Sequence, residues 1–534
     1  MTLLLQRTAA SALALAAGLG LAGLGDTARA AEMVYRSATM GEPKSLDPHS
    51  VSGVWENIVV GDMFMGLATD AADATAIPGA AESWQISDDG LTYTFKLRDH
   101  TWSDGTPVTA EDFVYSFRRV LDPKKAAEYA SILYPIKNAE AINSGKLANL
   151  EELGARAVDA KTLEVKLEGP TGYFIELLTH YTAFGLPKHA IEKHGDEWIK
   201  PANLVVNGAF KVTEWSPNTR LVSEKNPKFY DAVNVKIDKI IYYPDEDRNS
   251  VLKRFRAGEI DYADDFASEQ IEFLKRELPN ETKISPELGV YYYVINQAKK
   301  PFDDIRVRRA LSYAIEREAI TDKILKTGEI PAYGIVPPNA GQYGAGETLS
   351  WKGKPYKERV EEAKALLKEA GFGPDNPLKL ELSYNTSENH KKIAVAVQSM
   401  WKPLGVQAEL VNREAKVHYD ALKQGQFDAA RAAWIADYND PQNFLYLLET
   451  RTGVNNYSRF SNPEFDRLML EQAQTSDQAK RMQLMRQAER IALDQEAWAP
   501  IYFYVSKNLV STKLEGWVPN AKKTHRARWM ALKQ

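Results

Sequence analysis

The chain has 534 residues, 44% hydrophobic and 26% charged, more than one ordinary core holds, so two or three lobes are expected. A formal net charge of −5 with no basic block argues against nucleic acid or a strongly anionic surface as partner. With no cysteine, disulfides, zinc-thiolate sites and a thiol-borne lipid anchor are all excluded.

The N-terminus carries Arg7, an apolar Ala/Leu/Gly run from Thr8 to Gly25, and Ala28-Arg29-Ala30, with small residues at the −3 and −1 positions of a cleavage site. This predicts a secretory signal over 1–30, since the run is too short and glycine-rich to suit a membrane anchor. Taking Arg7, Arg29 and Asp26 from 67 basic and 72 acidic residues leaves 65 and 71, a net charge of −6. The mature protein is expected free in a periplasm, and not as a lipoprotein.

Elements then alternate along the chain. Leu91, Tyr93, Phe95 and Leu97 interleave with Thr92, Thr94, Lys96 and Arg98, the period-two pattern of a half-buried strand. A turn follows at Trp102 to Pro107. Thr109 with Asp112 three residues on starts a helix carrying Phe113, Val114, Phe117 and Val120. Leu163, Val165 and Leu167 mark another strand, and residues 235–244 a third. Between Asp247 and Gly258, the residues Val251, Leu252 and Phe255 form one helical face, ended by a glycine suited to left-handed backbone. Residues 357–373 repeat this design, with Val360, Ala363, Leu367 and Ala370 inward and Gly371 as the stop. Such alternation predicts α/β lobes.

Catalytic patterns are missing. His189 and His194 are five apart, about 140° around a helix, and cannot share a metal ion. Gln342, Gly344 and Gly346 lack both the preceding strand and the following Lys-Ser/Thr of a phosphate loop. No Gly-x-Ser-x-Gly elbow is present. The acid pairs Asp264-Asp265 and Glu361-Glu362 read as solvated faces. No cofactor, metal or enzymatic activity is implied.

Binding is the remaining class. Phe427 to Asp437 is apolar on both faces if extended, so it reads as a strand inside a sheet. Ala429, Ala430, Ala432 and Ala433 would let another backbone approach and pair with it, as strand addition requires. Asp437 at its end could meet an α-ammonium group. On spacing alone the simpler reading is a polar turn from Asp437 to Pro441, with alanines for close packing.

Several long segments carry a resemblance: SLDPHSVSGV (45–54), WSDGTPVTAEDFVYSFRRVLDP (102–123), VNGAFKV (206–212), FRAGEIDY (255–262), PFDDIRVRRALSYAIER (301–317), YNTSENHKKIA (384–394) and RAAWIADYNDP (431–441). From about Tyr35 to the C-terminus the chain resembles the periplasmic oligopeptide-binding proteins, the substrate-binding subunits that deliver to ABC transporters. The resemblance implies a type II periplasmic-binding fold of the three-domain, cluster C kind. Lobe I would comprise 31–64, 189–288 and 506–534, lobe II the insertion 65–188, and lobe III 289–505. A monomer enclosing a short peptide between lobes I and III, with a membrane ABC permease as partner, is expected.

Residue by residue, the resemblance makes Asp437 the partner of the peptide ammonium. Ser52, Gly53 and Val54 would pair with ligand backbone from lobe I, and Ala432, Ala433 and Trp434 from lobe III. Arg431 and His390 would meet the ligand carboxylate at different peptide lengths. Tyr129, Trp434 and Tyr504 correspond to pocket-lining aromatics, and Tyr502 is grouped with them as ligand-binding. By their own context, His390 reads as a helix-start surface histidine and Trp434 as core. Tyr291-Tyr292-Tyr293 is expected on a strand crossing between lobes. Where family members use a lysine for the shortest ligands, this chain has Leu325 with Lys326 beside it, which counts against dipeptides. Ala415 replaces a pocket tryptophan and Leu422 a pocket arginine, opening one subsite and removing a positive charge. The alternatives are an oligosaccharide or metal-chelate binder on the same scaffold, a murein- or signalling-peptide receptor, and a secreted hydrolase.

Overall fold

The computed structural model describes residues 32–338 and 340–533, so the expected signal segment lies outside the described residues. The alternation near residue 93 becomes the strand Thr92–Leu97, which buries Tyr93, Phe95 and Leu97. It pairs antiparallel with Ala81–Ile86 and Thr162–Lys166, and Ala155–Asp159 completes a four-stranded sheet. Against this sheet packs the helix Ala110–Leu121. Its Thr109 backbone N–H donates to Asp112 Oδ2 at 2.8 Å, the reciprocal cap that the spacing predicts.

An eleven-stranded mixed sheet forms the body of the molecule. One half runs Val406–Arg413, Leu378–Asn385, Ala429–Ile435; the other runs Tyr262–Ala263, Val34–Thr39, Lys239–Pro244, Arg220–Lys225, Phe210–Ser216. Two long antiparallel strands, Thr282–Ile295 and Ala499–Val510, join the halves and are called the crossing strands below. Their register breaks between Pro286 and Val290, where proline and Gly289 interrupt regular pairing. Tyr291, Tyr292 and Tyr293 lie just beyond this break, all fully buried.

The strand expected over 235–244 is shorter, Lys239–Pro244. Val34 pairs with Lys239, and Met33 O accepts from both Asp238 and Lys239, so the ladder begins where its partner begins. Helix Arg248–Arg256 is capped by Asp247 and buries Val251, Leu252 and Phe255. Gly258 follows at φ +73, a backbone that other residues rarely adopt. Helix Tyr356–Glu369 buries Ala363 and Leu367, while Val360 and Ala370 sit at the edge of the core. It also buries Arg359, whose guanidinium donates to the carbonyls of Tyr313 and Ile315.

The reading of Asp264-Asp265 as a solvated face is corrected. Asp264 is buried, and Asp265 lies 3.6 Å from Arg248 Nε and 3.9 Å from Lys507 Nζ. Compensation by two cations permits this burial, which the sequence does not reveal because Lys507 arrives from 242 residues away. Glu361 pairs with half-buried Lys364, and Glu362 with exposed Lys354.

Candidate ligand-binding cleft

The strand Ala429–Ile435 pairs along its whole length with the first crossing strand. On its other side it pairs with Leu378–Asn385 only at Ala429 and Ala430. Beyond Ala430 this edge is therefore open. His418 Nε2 donates to the Arg431 carbonyl at 2.8 Å on the open edge, whereas Ala436 N donates 2.7 Å to Leu288 O on the opposite side. Strand alternation then turns the N–H and C=O of Ala433 to the open edge and those of Ala432 into the sheet.

That edge borders a cavity between the sheet halves. Every candidate residue except Ala432 lines it: Ser52, Gly53, Val54, Tyr129, His390, Arg431, Ala433, Trp434, Asp437, Tyr502 and Tyr504. Ala432 is fully buried. On the facing wall, Glu56 Oε2 accepts from the N–H groups of Ser52 and Gly53 at 2.8 and 2.7 Å, and Gly53 O accepts from Glu56 and Asn57. Among the described residues this leaves only the Ser52 carbonyl and the Val54 N–H of that stretch free to pair.

The turn after the strand holds two acids with opposite surroundings. Asp440 is gripped by Arg481 through two bonds of 2.7 Å, both side chains nearly buried. Asp437 faces the cavity instead. Its Oδ1 lies 3.4 Å from His180 Nε2, and its buried Oδ2 has no hydrogen-bond partner. The Asp437 N–H and the Trp434 indole both donate to Asn443 Oδ1, at 3.1 and 2.9 Å, which sets the carboxylate's direction. Tyr129 stacks on Trp434 with ring centroids 6.0 Å apart. Burial and then the charge of Asp437 push the phenols of Tyr129 and Tyr181 well up, so both remain neutral donors.

Arg431 lies at the other end of the open edge and is 5% exposed. Its guanidinium donates to Asn385 Oδ1, Tyr419 Oη and Tyr504 Oη at 3.0, 2.9 and 2.7 Å, and stands 5.0 Å above the Tyr291 ring. Among the described residues no carboxylate lies within 4 Å of it, and Nε has no partner. This is a buried cation held entirely by neutral groups. His390, third residue of the helix Glu388–Trp401, packs 5.6 Å from Tyr291. Burial and then Arg431 push its imidazole well below the usual histidine range, so it offers a hydrogen bond and not a charge.

Spacing in the sequence does not reveal several residues that contact the cavity wall from behind. Glu128 accepts from Lys44 at 2.9 Å and from Lys423 at 2.6 Å, and Lys423 also donates to Ser52 Oγ. This bridge ties three distant chain segments across the cavity mouth. Neither Glu128 nor His180 falls in a periodic or motif-like context, so nothing in the sequence marks them. Leu325 is buried away from the cavity, and Lys326 is exposed and also outside it. Ala415 lines the cavity, whereas Leu422 is fully buried behind it. Lys423, next in the chain, lines the wall, where Glu128 and Ser52 hold its ammonium. Among the described residues no His/Cys/Asp/Glu group is arranged to hold a metal ion, and no helix is long and apolar enough to cross a membrane.

Comparisons with known proteins agree with this geometry. The family model for bacterial extracellular solute-binding proteins, family 5 Middle, matches residues 75–456. The periplasmic oligopeptide-binding protein OppA of Salmonella typhimurium is 42% identical over 483 residues, covering 89% of this chain and 88% of its own. The crystal structure of Haemophilus influenzae OppA in complex with RPPGFSPFR superposes with a TM-score of 0.91 at 36% identity, covering 94% of this chain and 99% of that one. The Escherichia coli murein tripeptide-binding protein MppA, 38% identical, occurs in two structures, each aligned over 95% of this chain. One, aligned over 99% of its own chain, gives a TM-score of 0.91, and the unliganded open form, aligned over 98%, gives 0.67. Identity is the same in both, so the difference is one of conformation. The sheet halves here are arranged as in the peptide complex and not as in the open form.

Proposed function

This chain belongs to the bacterial extracellular solute-binding proteins of family 5, with their type II periplasmic-binding α/β fold, and we propose that it captures short extended peptides. One observation carries this reading. An unpaired carboxylate oxygen on Asp437 and a buried guanidinium on Arg431 flank the open strand edge at Ala433. At about 3.3 Å per residue the edge from Arg431 to Ile435 spans roughly 13 Å, the length of a short extended peptide. A zwitterionic peptide supplies an ammonium for one end, a carboxylate for the other, and main-chain groups for Ala433 between them.

The lobes are 31–64 with 189–288 and 506–534, the insertion 65–188, and 289–505. They hinge where the crossing strands lose register at Pro286–Val290. Closure buries both ligand termini and lets main-chain pairing carry affinity without reading side chains. Arginine suits the carboxylate end because its planar fork binds both oxygens. Micromolar affinity, about −8 kcal/mol, suffices for capture and still permits release to a membrane ABC permease. No bond is made or broken. We place the protein in the periplasm, as the name of the Salmonella relative places that protein, with residues 1–30 removed on export.

Calorimetric titration of unfolded-and-refolded protein with trialanine and N-acetyl-trialanine tests this. Binding of the free-amine peptide alone, with the peptide recovered intact, is the expected result. Equal binding of both, or of neither, removes Asp437 as the ammonium anchor.

A further inference from the structure

Neither Tyr173 nor Glu176 lines the peptide cavity, yet both touch the turn that carries Asp437. They belong to the insertion, in the short helical stretch that runs from Tyr173 to His180. This stretch is fixed within the insertion by its apolar residues. Phe174 is fully buried, with its ring 4.9 Å from that of Tyr93 on the strand Thr92–Leu97, and Leu177 is buried as well. Tyr173, Glu176 and His180 are spaced by three and then four residues, which puts them on one face of the stretch.

That face meets three consecutive residues of the turn. The Tyr173 ring stacks on Tyr438, with centroids 5.2 Å apart and planes 2° from parallel. Glu176 Oε2 accepts from the Asn439 N–H at 2.9 Å. His180 Nε2 stands 3.4 Å from Asp437 Oδ1. From within lobe III the same turn is held by Asn443, by Arg481 and by the Gly341 N–H, which donates to Asn439 Oδ1 at 2.7 Å. Asn439 thus has its side chain bonded in its own lobe and its backbone bonded to the insertion. Among the described residues no cation lies within 4 Å of the Glu176 carboxylate, so no ion pair competes for it.

We propose that Glu176, with Tyr173 beside it, is a positioning residue for the ammonium anchor: by clasping Asn439 and Tyr438 from the insertion, the pair holds the Asp437 carboxylate in the orientation that a ligand amine requires. The clasp is made between lobes, so it forms only when they come together. Amine binding and the clasp therefore favour each other, because both belong to the same arrangement of the lobes. This rests on the peptide-binding reading and deepens it: recognition of the amine depends on side chains outside the cavity, on the lobe opposite the one that carries Asp437.

The test is a double-mutant cycle read by calorimetry with trialanine, using wild type, Glu176→Ala, Glu176→Gln, Asp437→Asn, and Glu176→Ala combined with Asp437→Asn. Glu176→Ala is expected to weaken trialanine about tenfold, as loss of a charge-assisted hydrogen bond predicts. Glu176→Gln keeps an acceptor for the Asn439 N–H and should bind within about threefold of wild type. In the Asp437→Asn background, Glu176→Ala should add less than about twofold, because it acts through the carboxylate already removed. Ligand-free Tm should be the same in wild type and Glu176→Ala. Wild-type affinity in Glu176→Ala, equal losses in Glu176→Ala and Glu176→Gln, losses that multiply in the double variant, or a lower ligand-free Tm in Glu176→Ala overturns the assignment. Failure of trialanine itself to bind wild type is separate: it overturns the peptide reading, and this inference with it.

Discussion

His180 and Asp437 meet at the cavity wall: His180 Nε2 lies 3.4 Å from Asp437 Oδ1, while Asp437 Oδ2 stays buried and unbonded. The Thr182 N–H donates to His180 Nδ1 at 3.3 Å, so in the neutral ring the proton sits on Nε2, toward the carboxylate. One oxygen stands beside the imidazole and the other is left for a ligand cation. Asp437→Asn is therefore expected to weaken free-amine tripeptides by at least about 100-fold, a loss of about 3 kcal/mol, because a desolvated ammonium loses its partner. N-acetyl peptides, which lack the ammonium, should bind wild type and variant equally weakly. Calorimetry on the two peptide series reads the difference, and equal losses in both would count against a charge pair.

Arg431 makes the complementary prediction. Arg431→Met should reduce tripeptide affinity at least about 30-fold, since losing one partner of a desolvated charge pair costs about 2 kcal/mol or more. Melting of the ligand-free protein should change little, because the buried cation has no acid partner to lose. A large drop in ligand-free Tm would instead assign Arg431 a structural role.

Asp440 and Arg481 should behave in the opposite way. Their paired bonds of 2.7 Å are nearly buried, so Arg481→Met strands a carboxylate and is expected to cost about 3–5 kcal/mol of stability. Denaturant unfolding measures this. A variant as stable as wild type would show that the pair contributes nothing to holding the turn.

The Lys44–Glu128–Lys423 bridge should make closure sensitive to acid. Burial alone would raise the Glu128 carboxyl, but Lys423 and then Lys44 outweigh it and hold it at about 2, against an ordinary value of 4.5. A depressed carboxyl favours the closed form fully above pH 4.5, and that contribution is lost as pH falls from 4.5 toward 2. Small-angle scattering of peptide-bound protein should show expansion across that window, and no corresponding pH-dependent expansion in Glu128→Gln, whose bridge is already uncharged. Identical profiles for the two proteins would remove Glu128 from the closing equilibrium.

Dialanine should bind at least about tenfold more weakly than trialanine. Two residues extend about 7 Å at most, too short to reach Asp437 and Arg431 together. Neither Leu325 nor Lys326 lines the cavity to supply a nearer charge. Competition of both peptides against one labelled tripeptide decides this, and equal potency would point to another carboxylate partner.

The sequence by itself determined the local elements and the class of molecule. Alternation made Thr92–Leu97 a strand, Thr109 with Asp112 opened a helix, and the continuous apolar run of Phe427 to Asp437 became an interior strand, because periodicity and capping act over a few residues. Tertiary structure decided which polar groups are satisfied. Asp437 and Asp440 lie three residues apart in one turn, yet Arg481, forty-one residues beyond Asp440, neutralises one and leaves the other to the cavity. Ala432 and Ala433 are identical neighbours, and only the departure of Leu378–Asn385 after Ser383 turns one of them toward an open edge. Burial and pairing depend on groups brought together from distant parts of the chain, so no window of sequence around a residue records them.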